Sequence, residues 1–274
     1  MPESDAAPEN RRDLALLTEA ALAAGEIARR HFGNGPASWE KGAGLGPVSA
    51  ADLEIDAMLR TRLLAARPDY GWLSEETEDT PARLAARRVF IVDPIDGTRA
   101  FLAGETGFGH ALAVAEAGRV VAGVVHLPMQ GHTYSAVARG GAHLDGRALN
   151  IATPEPRLTG ARLLASRRQV AAEHWRGGEA PRIARHFRSS LAWRLCLVAE
   201  GAFDGTLTHH DTWEWDTAAG ALIAAEAGVR VTDRSGAPLV FNRPHPASRG
   251  LIAATPLLHE ELAARLAPSQ RHAG

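Results

Sequence analysis

The segment Val92-Asp93-Pro94-Ile95-Asp96-Gly97-Thr98 constrains this chain more than any other. An apolar run, Val89-Phe90-Ile91-Val92, leads into it and reads as a buried strand. The proline and the Asp-Gly pair then end the strand in a turn. The fold must therefore carry the end of an interior strand to a place that tolerates two carboxylates three residues apart. Hard cations with oxygen ligands, sharing a phosphate, would make such a place favourable.

Two further acid-bearing segments stand far from this one. Trp72-Leu73-Ser74-Glu75-Glu76 lies upstream, and Trp215-Asp216-Thr217-Ala218-Ala219-Gly220 lies downstream. Singly, each has an ordinary explanation. The Asp-Gly pair can be a plain turn, Glu75-Glu76 can be solvated acids, and Asp216 can cap the apolar helical run that follows it. Together they are four carboxylates, Glu75, Asp93, Asp96 and Asp216, that would repel one another if they converged. Divalent cations remove that conflict. A phosphate monoester is dianionic, and two cations about 3.5–4 Å apart lower the pKa of a bound water and stabilise the departing oxygen. Phosphoryl transfer then needs little beyond positioning and charge neutralisation. Gly97 lets the backbone approach a phosphate closely, and a helix starting near Gly97 would present free N–H groups to an anion.

In order and rough spacing, the three segments resemble the inositol monophosphatase family of metal-dependent phosphatases. The resemblance runs from about Leu14 to about Leu266. It implies a phosphoric monoester hydrolase that uses two or three Mg²⁺ ions. Glu75 resembles the acid that bridges ions and orients the attacking water. Asp93 resembles the carboxylate shared by two ions, Ile95 would give its backbone carbonyl, and Asp96 and Asp216 resemble the remaining ligands. Gly97 and Thr98 resemble the residues whose N–H groups hold the phosphate, with the Thr98 hydroxyl touching the water. Lys41 and Asp52 fall where the family has a mobile-loop lysine and an aspartate bonded to the threonine hydroxyl. Asp52 also reads as the partner of Ser49 in a helix cap. Lithium sensitivity and a homodimer are expectations at the level of the family.

At 274 residues the chain can bury a large core, as one domain or two intimate halves. A formal charge of −2 leaves no electrostatic footprint for nucleic acid or an acidic membrane. The expected partner is a small-molecule phosphate ester. The pairs Arg87-Arg88 and Arg167-Arg168 read as solvated surface. The one cysteine, Cys196, excludes an intrachain disulfide and lies in an apolar run. Met1 to Asn10 has no secretory pattern, and no apolar run reaches membrane-spanning length, so the chain reads as cytoplasmic.

Residues 1–10, polar and Pro-containing, read as a disordered tail. Residues 11–150 read as an N-terminal α+β subdomain carrying most metal ligands. Its helices fall at about 11–32 and 50–66, with a Gly/Pro-rich loop over 33–47 that carries Lys41. A short strand over 70–74 precedes the strand into the Asp-Pro-Ile-Asp turn, and a meander follows through 111–115, 120–125 and 134–138. Residues 151–270 read as an α/β subdomain supplying Asp216 and the wall that selects the substrate. It has strands at 162–166, 203–207, 229–232 and 251–254, and helices near 169–176, 191–200, 216–227 and 256–266. The resemblance implies an α/β (α+β) class, the layered α/β/α/β/α sandwich of the inositol monophosphatase and fructose bisphosphatase type. The site would lie in the cleft between the halves.

The substrate end departs from the inositol phosphatases. Those enzymes have a glutamate seven residues before the last metal aspartate, where this chain has His209, followed by His210 and Asp211. Arg188-Ser189-Ser190-Leu191, Cys196-Leu197-Val198-Ala199-Glu200-Gly201 and Asp96-Gly97-Thr98-Arg99-Ala100-Phe101 resemble instead the bacterial branch that hydrolyses 3′-phosphoadenosine 5′-phosphate. Arg194 or Arg188 would meet the second phosphate, and Trp193 would stack a base or simply pack. The expected activity is therefore hydrolysis of a 3′(2′),5′-bisphosphate nucleotide to the monophosphate. Inositol 1-phosphate and histidinol phosphate are alternative substrates. A catalytically idle phosphometabolite-binding protein is the alternative of another class.

Overall fold

The computed structural model describes residues 3–42, 46–151 and 157–267, and of residues 3–7 only the backbone. Positions 43–45 of the expected loop, 152–156 of the expected boundary and both chain ends lie outside the described residues. The first half runs α1 (Glu3–His31), β1 (Ser38–Lys41), β2 (Gly46–Ser49), α2 (Ala50–Ala66), β3 (Gly71–Ser74), β4 (Arg88–Asp96) and the short α3 (Thr98–Leu102). It continues through β5 (Gly109–Glu116), β6 (Arg119–Leu127), β7 (His132–Val137), β8 (Ala142–Leu144) and β9 (Arg147–Leu149). The second half runs β10 (Arg162–Leu164), β11 (Ala184–His186), α4 (Leu191–Ala199), β12 (Gly205–Trp213), α5 (Glu214–Glu226), β13 (Arg230–Thr232), β14 (Ala247–Ala254) and α6 (Pro256–Arg265).

Strands β3 to β9 make a seven-stranded sheet in chain order, antiparallel throughout except for the parallel pair β3–β4. Strands β10 to β14 make a five-stranded mixed sheet in the order β11-β10-β12-β14-β13. Three apolar cores hold these sheets in layers. Leu17, Ala21, Ala24 and Ile27 of α1 and Ile55, Leu59 and Leu63 of α2 cover one face of the large sheet. The other face meets α4 and α5, which also bury apolar side chains against β14 of the small sheet. Leu258 and Leu262 of α6 close the far side of the small sheet over Leu163, Leu207 and Ile252. The result is the expected helix–sheet–helix–sheet–helix sandwich. Gly123 on β6 shows how tightly α5 sits: a Cβ there would lie 3.1 Å from the Ala219 backbone. No helix among the described residues is long and apolar enough to cross a membrane.

Several local expectations change. The helix expected from residue 11 starts at Glu3 instead of following a disordered tail. Polarity and Pro8 argue locally against helix there. Tertiary anchors prevail: Glu9 accepts from Arg87, Asn10 accepts from Arg88, and Asp13 accepts from both Arg88 and Tyr70. Arg88 is consequently buried rather than surface. The expected loop over 33–47 contains the β1–β2 hairpin. The helix expected near 169–176 is three 3₁₀ turns, Arg168–Val170, Ala172–His174 and Arg176–Gly178, separated by extended backbone at Ala171 and Trp175. The strand expected over 203–207 runs on as β12 to Trp213.

Candidate active site

Glu75 and Asp93 meet because β3 and β4 are parallel neighbours. Ser74 stands opposite Val92, so both chains leave the sheet side by side. The Glu75 N–H donates to the Val92 carbonyl and fixes that exit. Asp216 arrives from the first turn of α5, the helix packed against Gly123. It is not the N-cap, a position taken by Trp213. Carboxylate oxygens of Glu75, Asp93 and Asp216 lie within 4.8 Å of one another. Segments about 140 residues apart thus reach one point.

The electrostatics at that point are unbalanced. Burial, then the charges of Glu75, Asp96 and Asp216, drive Asp93 well above the usual carboxylate range. Burial and the Asp96 and Glu75 charges do the same to Asp216. With neither a proton nor a cation between them, the Asp93 and Asp216 carboxylates would repel each other across that gap. Asp93 Oδ1 is buried without any partner. A crowded, under-satisfied set of oxygen donors is what a hard divalent cation fits. Lys41 of β1 supplies one positive charge, donating at 2.7 Å to Glu75 and at 2.7 Å to Glu76. Burial opposes the Lys41 charge, but these two acids outweigh it and hold its pKa above the ordinary lysine value. Burial raises Glu76 to about 7 despite that contact.

Asp96 is placed differently from the other three acids. Its carboxylate accepts from the Ser190 hydroxyl at 2.7 Å, the Ala192 N–H at 2.6 Å and the Leu191 N–H at 3.2 Å. It therefore joins the Asp-Pro-Ile-Asp turn to the N-terminus of α4, while remaining close enough to raise Asp93 and Asp216. Burial dominates those donors and lifts Asp96 to about 6.

The turn itself is held from α2. Gly97 adopts φ 103°, and a Cβ there would lie 3.2 Å from the Gly107 carbonyl, so a glycine is required. Thr98 Oγ1 lies 3.2 Å from Asp52 Oδ1 and 3.0 Å from the Ile95 carbonyl. Asp52 also completes the expected capping box with Ser49. One helical turn later, Asp56 accepts from the Ser74 and Thr77 hydroxyls, which bracket Glu75 and Glu76. Sequence reasoning missed Asp56, although its i+4 spacing from Asp52 sets both on one helix face.

These groups floor a cavity of about 590 Å³. Its lining also includes Arg99, Gln169, Phe187, Arg194, Trp213 and Trp215. Trp213 and Trp215 stack, with ring centroids 4.9 Å apart. Arg194 lines the cavity as expected, but donates to the Arg188 and Ser189 carbonyls and so braces the loop before α4. Burial lowers its pKa, and Asp96 and Asp216 act against that. Two expected substrate residues are not among those that line the cavity. The Arg188 guanidinium lies over the rings of Trp193 and Phe203. His209 points away, its Nε2 2.7 Å from the Gln169 carbonyl and its ring 4.0 Å from that of His174. His210 lines the cavity in its place.

Comparison with known proteins agrees with this geometry. An inositol-1-monophosphatase of Rhizobium meliloti is 35% identical over 246 residues, covering 81% of this chain and 86% of that protein. A 3′(2′),5′-bisphosphate nucleotidase CysQ of Aggregatibacter actinomycetemcomitans is 34% identical over 203 residues, covering 72% and 76%. The crystal structure of the extragenic suppressor protein SuhB of Bartonella henselae superposes with a TM-score of 0.80 at 27% identity, covering 92% of this chain and 97% of that one. The sequence profile described as the inositol monophosphatase family matches residues 9–271. The chain with this acid-floored cavity belongs to the inositol monophosphatase family and is a metal-dependent phosphatase.

Proposed function

We propose that this phosphatase hydrolyses a 3′(2′),5′-bisphosphate nucleotide to the monophosphate. The observation that carries the reading is the composition of one cavity lining, in which a cluster of acids is joined by aromatic rings and arginines. Among the described residues, Glu75, Asp93, Asp96 and Asp216 are the only carboxylates on its lining. The described lining residues include no further acid to accept from the hydroxyls of a polyol. The same lining offers Phe187, Trp213 and Trp215 as flat apolar surface for a base, with Arg194 and Arg99 as positive charge for a second phosphate.

Glu75, Asp93, Asp216 and the Ile95 carbonyl, with Asp96 beside them, would hold Mg²⁺ ions. When bound, such ions supply a water nucleophile at neutral pH and neutralise charge on the phosphoryl oxygens. The chain's own groups do the positioning. Thr98, held by Asp52, orients the attacking water. Gly97 and Thr98 present backbone N–H groups to the phosphate. Lys41 ties the β1–β2 hairpin to Glu75 and Glu76 and closes the acid cluster on that side.

The test is a panel of 3′-phosphoadenosine 5′-phosphate, inositol 1-phosphate, histidinol phosphate and fructose 1,6-bisphosphate, each assayed with Mg²⁺ for kcat/KM. The bisphosphate nucleotide should lead by roughly tenfold or more, the discrimination available from one aromatic contact and one charged contact. A lead for inositol 1-phosphate would overturn the substrate assignment. Release of phosphate from none of the four would favour a binding protein instead.

A further inference from the structure

The strand pairing beside the acid-bearing turn is irregular, and one buried side chain completes it. Along β4 and β5, Asp93 stands opposite Ala111 and Asp96 opposite Gly109. Pro94 and Ile95 together therefore face the single residue His110, as in a β-bulge. A bulge removes carbonyls from the ladder, and each buried one then needs another donor. The Ile95 carbonyl accepts from Thr98 Oγ1 at 3.0 Å. The Pro94 carbonyl has His110 Nδ1 at 2.5 Å.

His110 is wholly buried. Its ring lies between Phe108, 6.4 Å away and edge-on, and His126, 6.1 Å away and nearly parallel. A carbonyl can only accept, so Nδ1 must carry the proton, and Nε2 is the bare nitrogen. That nitrogen has no partner among the described residues. A phenyl ring would fill the same space and pack on the same neighbours. It would leave the Pro94 carbonyl buried and unpaired.

We propose that His110 is a positioning residue for the phosphatase reaction. Its Nδ1–H holds the Pro94 carbonyl, and so fixes the bulge that directs Asp93, the Ile95 carbonyl and Asp96 toward the cavity. The inference rests on the reading of those three as cation holders. His110 touches neither substrate nor ion; it acts through the backbone between two ligands, as outer partners of metal sites do.

The test begins with Mn²⁺ binding to the wild-type protein, followed by titration calorimetry. Absence of Mn²⁺ binding would defeat the cation reading itself, separately from the role of His110. Given binding, His110→Phe should weaken Mn²⁺ on the order of tenfold, the loss typical of removing an outer partner. It should raise the Mg²⁺ concentration for half-activation in parallel and leave the substrate KM at saturating Mg²⁺ unchanged. His110→Asn, which restores an N–H near the Nδ1 position, should recover most of the affinity. Equal losses in the two variants would reduce His110 to packing and overturn the proposal, as would wild-type affinity in His110→Phe. Should His110→Phe fail to fold, ¹⁵N–¹H correlation spectra of the wild-type imidazoles decide. The Nδ1–H tautomer at His110 supports the proposal, and the Nε2–H tautomer refutes it.

Discussion

Strand β4 starts and ends in charge, and its two ends are completed in different ways. Every residue of the strand is buried. At the start, Arg88 donates to Asp13 at 2.6 Å, to Glu116 at 2.8 Å and to Asn10 at 2.9 Å, and Glu9 lies 3.1 Å away. Positive and negative groups there satisfy one another within the polypeptide. At the other end, Asp93 and Asp96 join Glu75 and Asp216, Lys41 donates to Glu75, and Asp93 Oδ1 has no partner among the described residues. Burial and charge are common to both ends. Balance is what separates them. The Arg88 end is finished as protein, whereas the Asp93 end is finished by something from outside.

Breaking the Asp93 end should produce the largest effect, and it should fall on turnover. Asp93→Asn should lower kcat/KM by at least about a thousandfold if, as proposed, Asp93 is among the residues that hold the ions. The same change should raise the Tm measured in EDTA, since it removes one of several mutually repelling acids. Activity within tenfold of wild type would remove Asp93 from the centre of the site.

Breaking the Arg88 end should do the reverse. Arg88→Leu leaves the buried Asp13 with Arg67, 3.0 Å away, as its remaining ion partner, and the loss of stability should be about 3 kcal/mol in urea unfolding, the low end for a broken buried pair. The double change Asp13→Asn with Arg88→Met should recover part of that loss, because no fully buried charge is left short of its partner and Arg67 is partly exposed. Residual folded enzyme should keep its kcat. A stability loss under about 1 kcal/mol would mean that the network is no more than a surface ion pair.

The two ends should also answer pH with opposite signs. Asp96 and Glu76 have folded pKa values raised to about 6 and about 7. A raised acid binds more protons folded than unfolded, so its stabilising contribution is present below the unfolded value near 4 and is lost as pH rises through 6 to 7. Glu9, beside Arg87 and Arg88, is lowered. Its contribution is present above 4.5 and is lost as pH falls through the folded value. Metal-free protein should therefore lose Tm between pH 5 and 7.5, and Mg²⁺ should restore more at pH 7.5 than at pH 5. Melting curves in EDTA and in Mg²⁺ across that range provide the check. A Mg²⁺ effect independent of pH would show that the raised acids are not coupled to the ion.

The chain itself discloses much of this arrangement, and its omissions have a pattern. Glu75, Asp93 and Asp216 were legible because catalytic acids fall in short, distinctive segments, each bounded by a strand or helix of clear period. The layers were legible because α1, α2, β4, β5 and β6 carry regular apolar spacing. Arg88 was illegible because pairing is a tertiary fact: Asp13 and Glu116 stand far away in sequence, and an Arg-Arg dipeptide looks like surface. The start of α1 was hidden for the same reason. Asp96's bonds to Ser190 and α4 were hidden because nothing local relates a turn to a helix almost a hundred residues on.

His209 and His210 sharpen the same contrast at the smallest scale, since their roles depend on one extra residue. Thr208 pairs with Leu251 and Asp211 with Arg249, so two histidines on β12 face Gly250 alone. Gly250 has φ 66°, and a Cβ there would lie 2.5 Å from the Thr208 carbonyl, so the bulge requires glycine at this position. Thr208 and Trp213, five residues apart, would lie on opposite faces of a regular strand. The bulge puts both on the cavity, with His210 between them, and leaves His209 turned toward Gln169 and His174. Counting seven residues back from Asp216 therefore selects the histidine that does not line the cavity. His210→Ala should raise the KM for the preferred substrate by roughly three- to tenfold with kcat little changed, the signature of lost uniform binding. His209→Ala should move KM by less than about twofold, since its ring is not on the cavity lining and its polar contact is to the Gln169 backbone carbonyl. A larger effect from His209 than from His210 would mean that β12 presents its other face to substrate, and the cavity lining would have to be assigned again from that register.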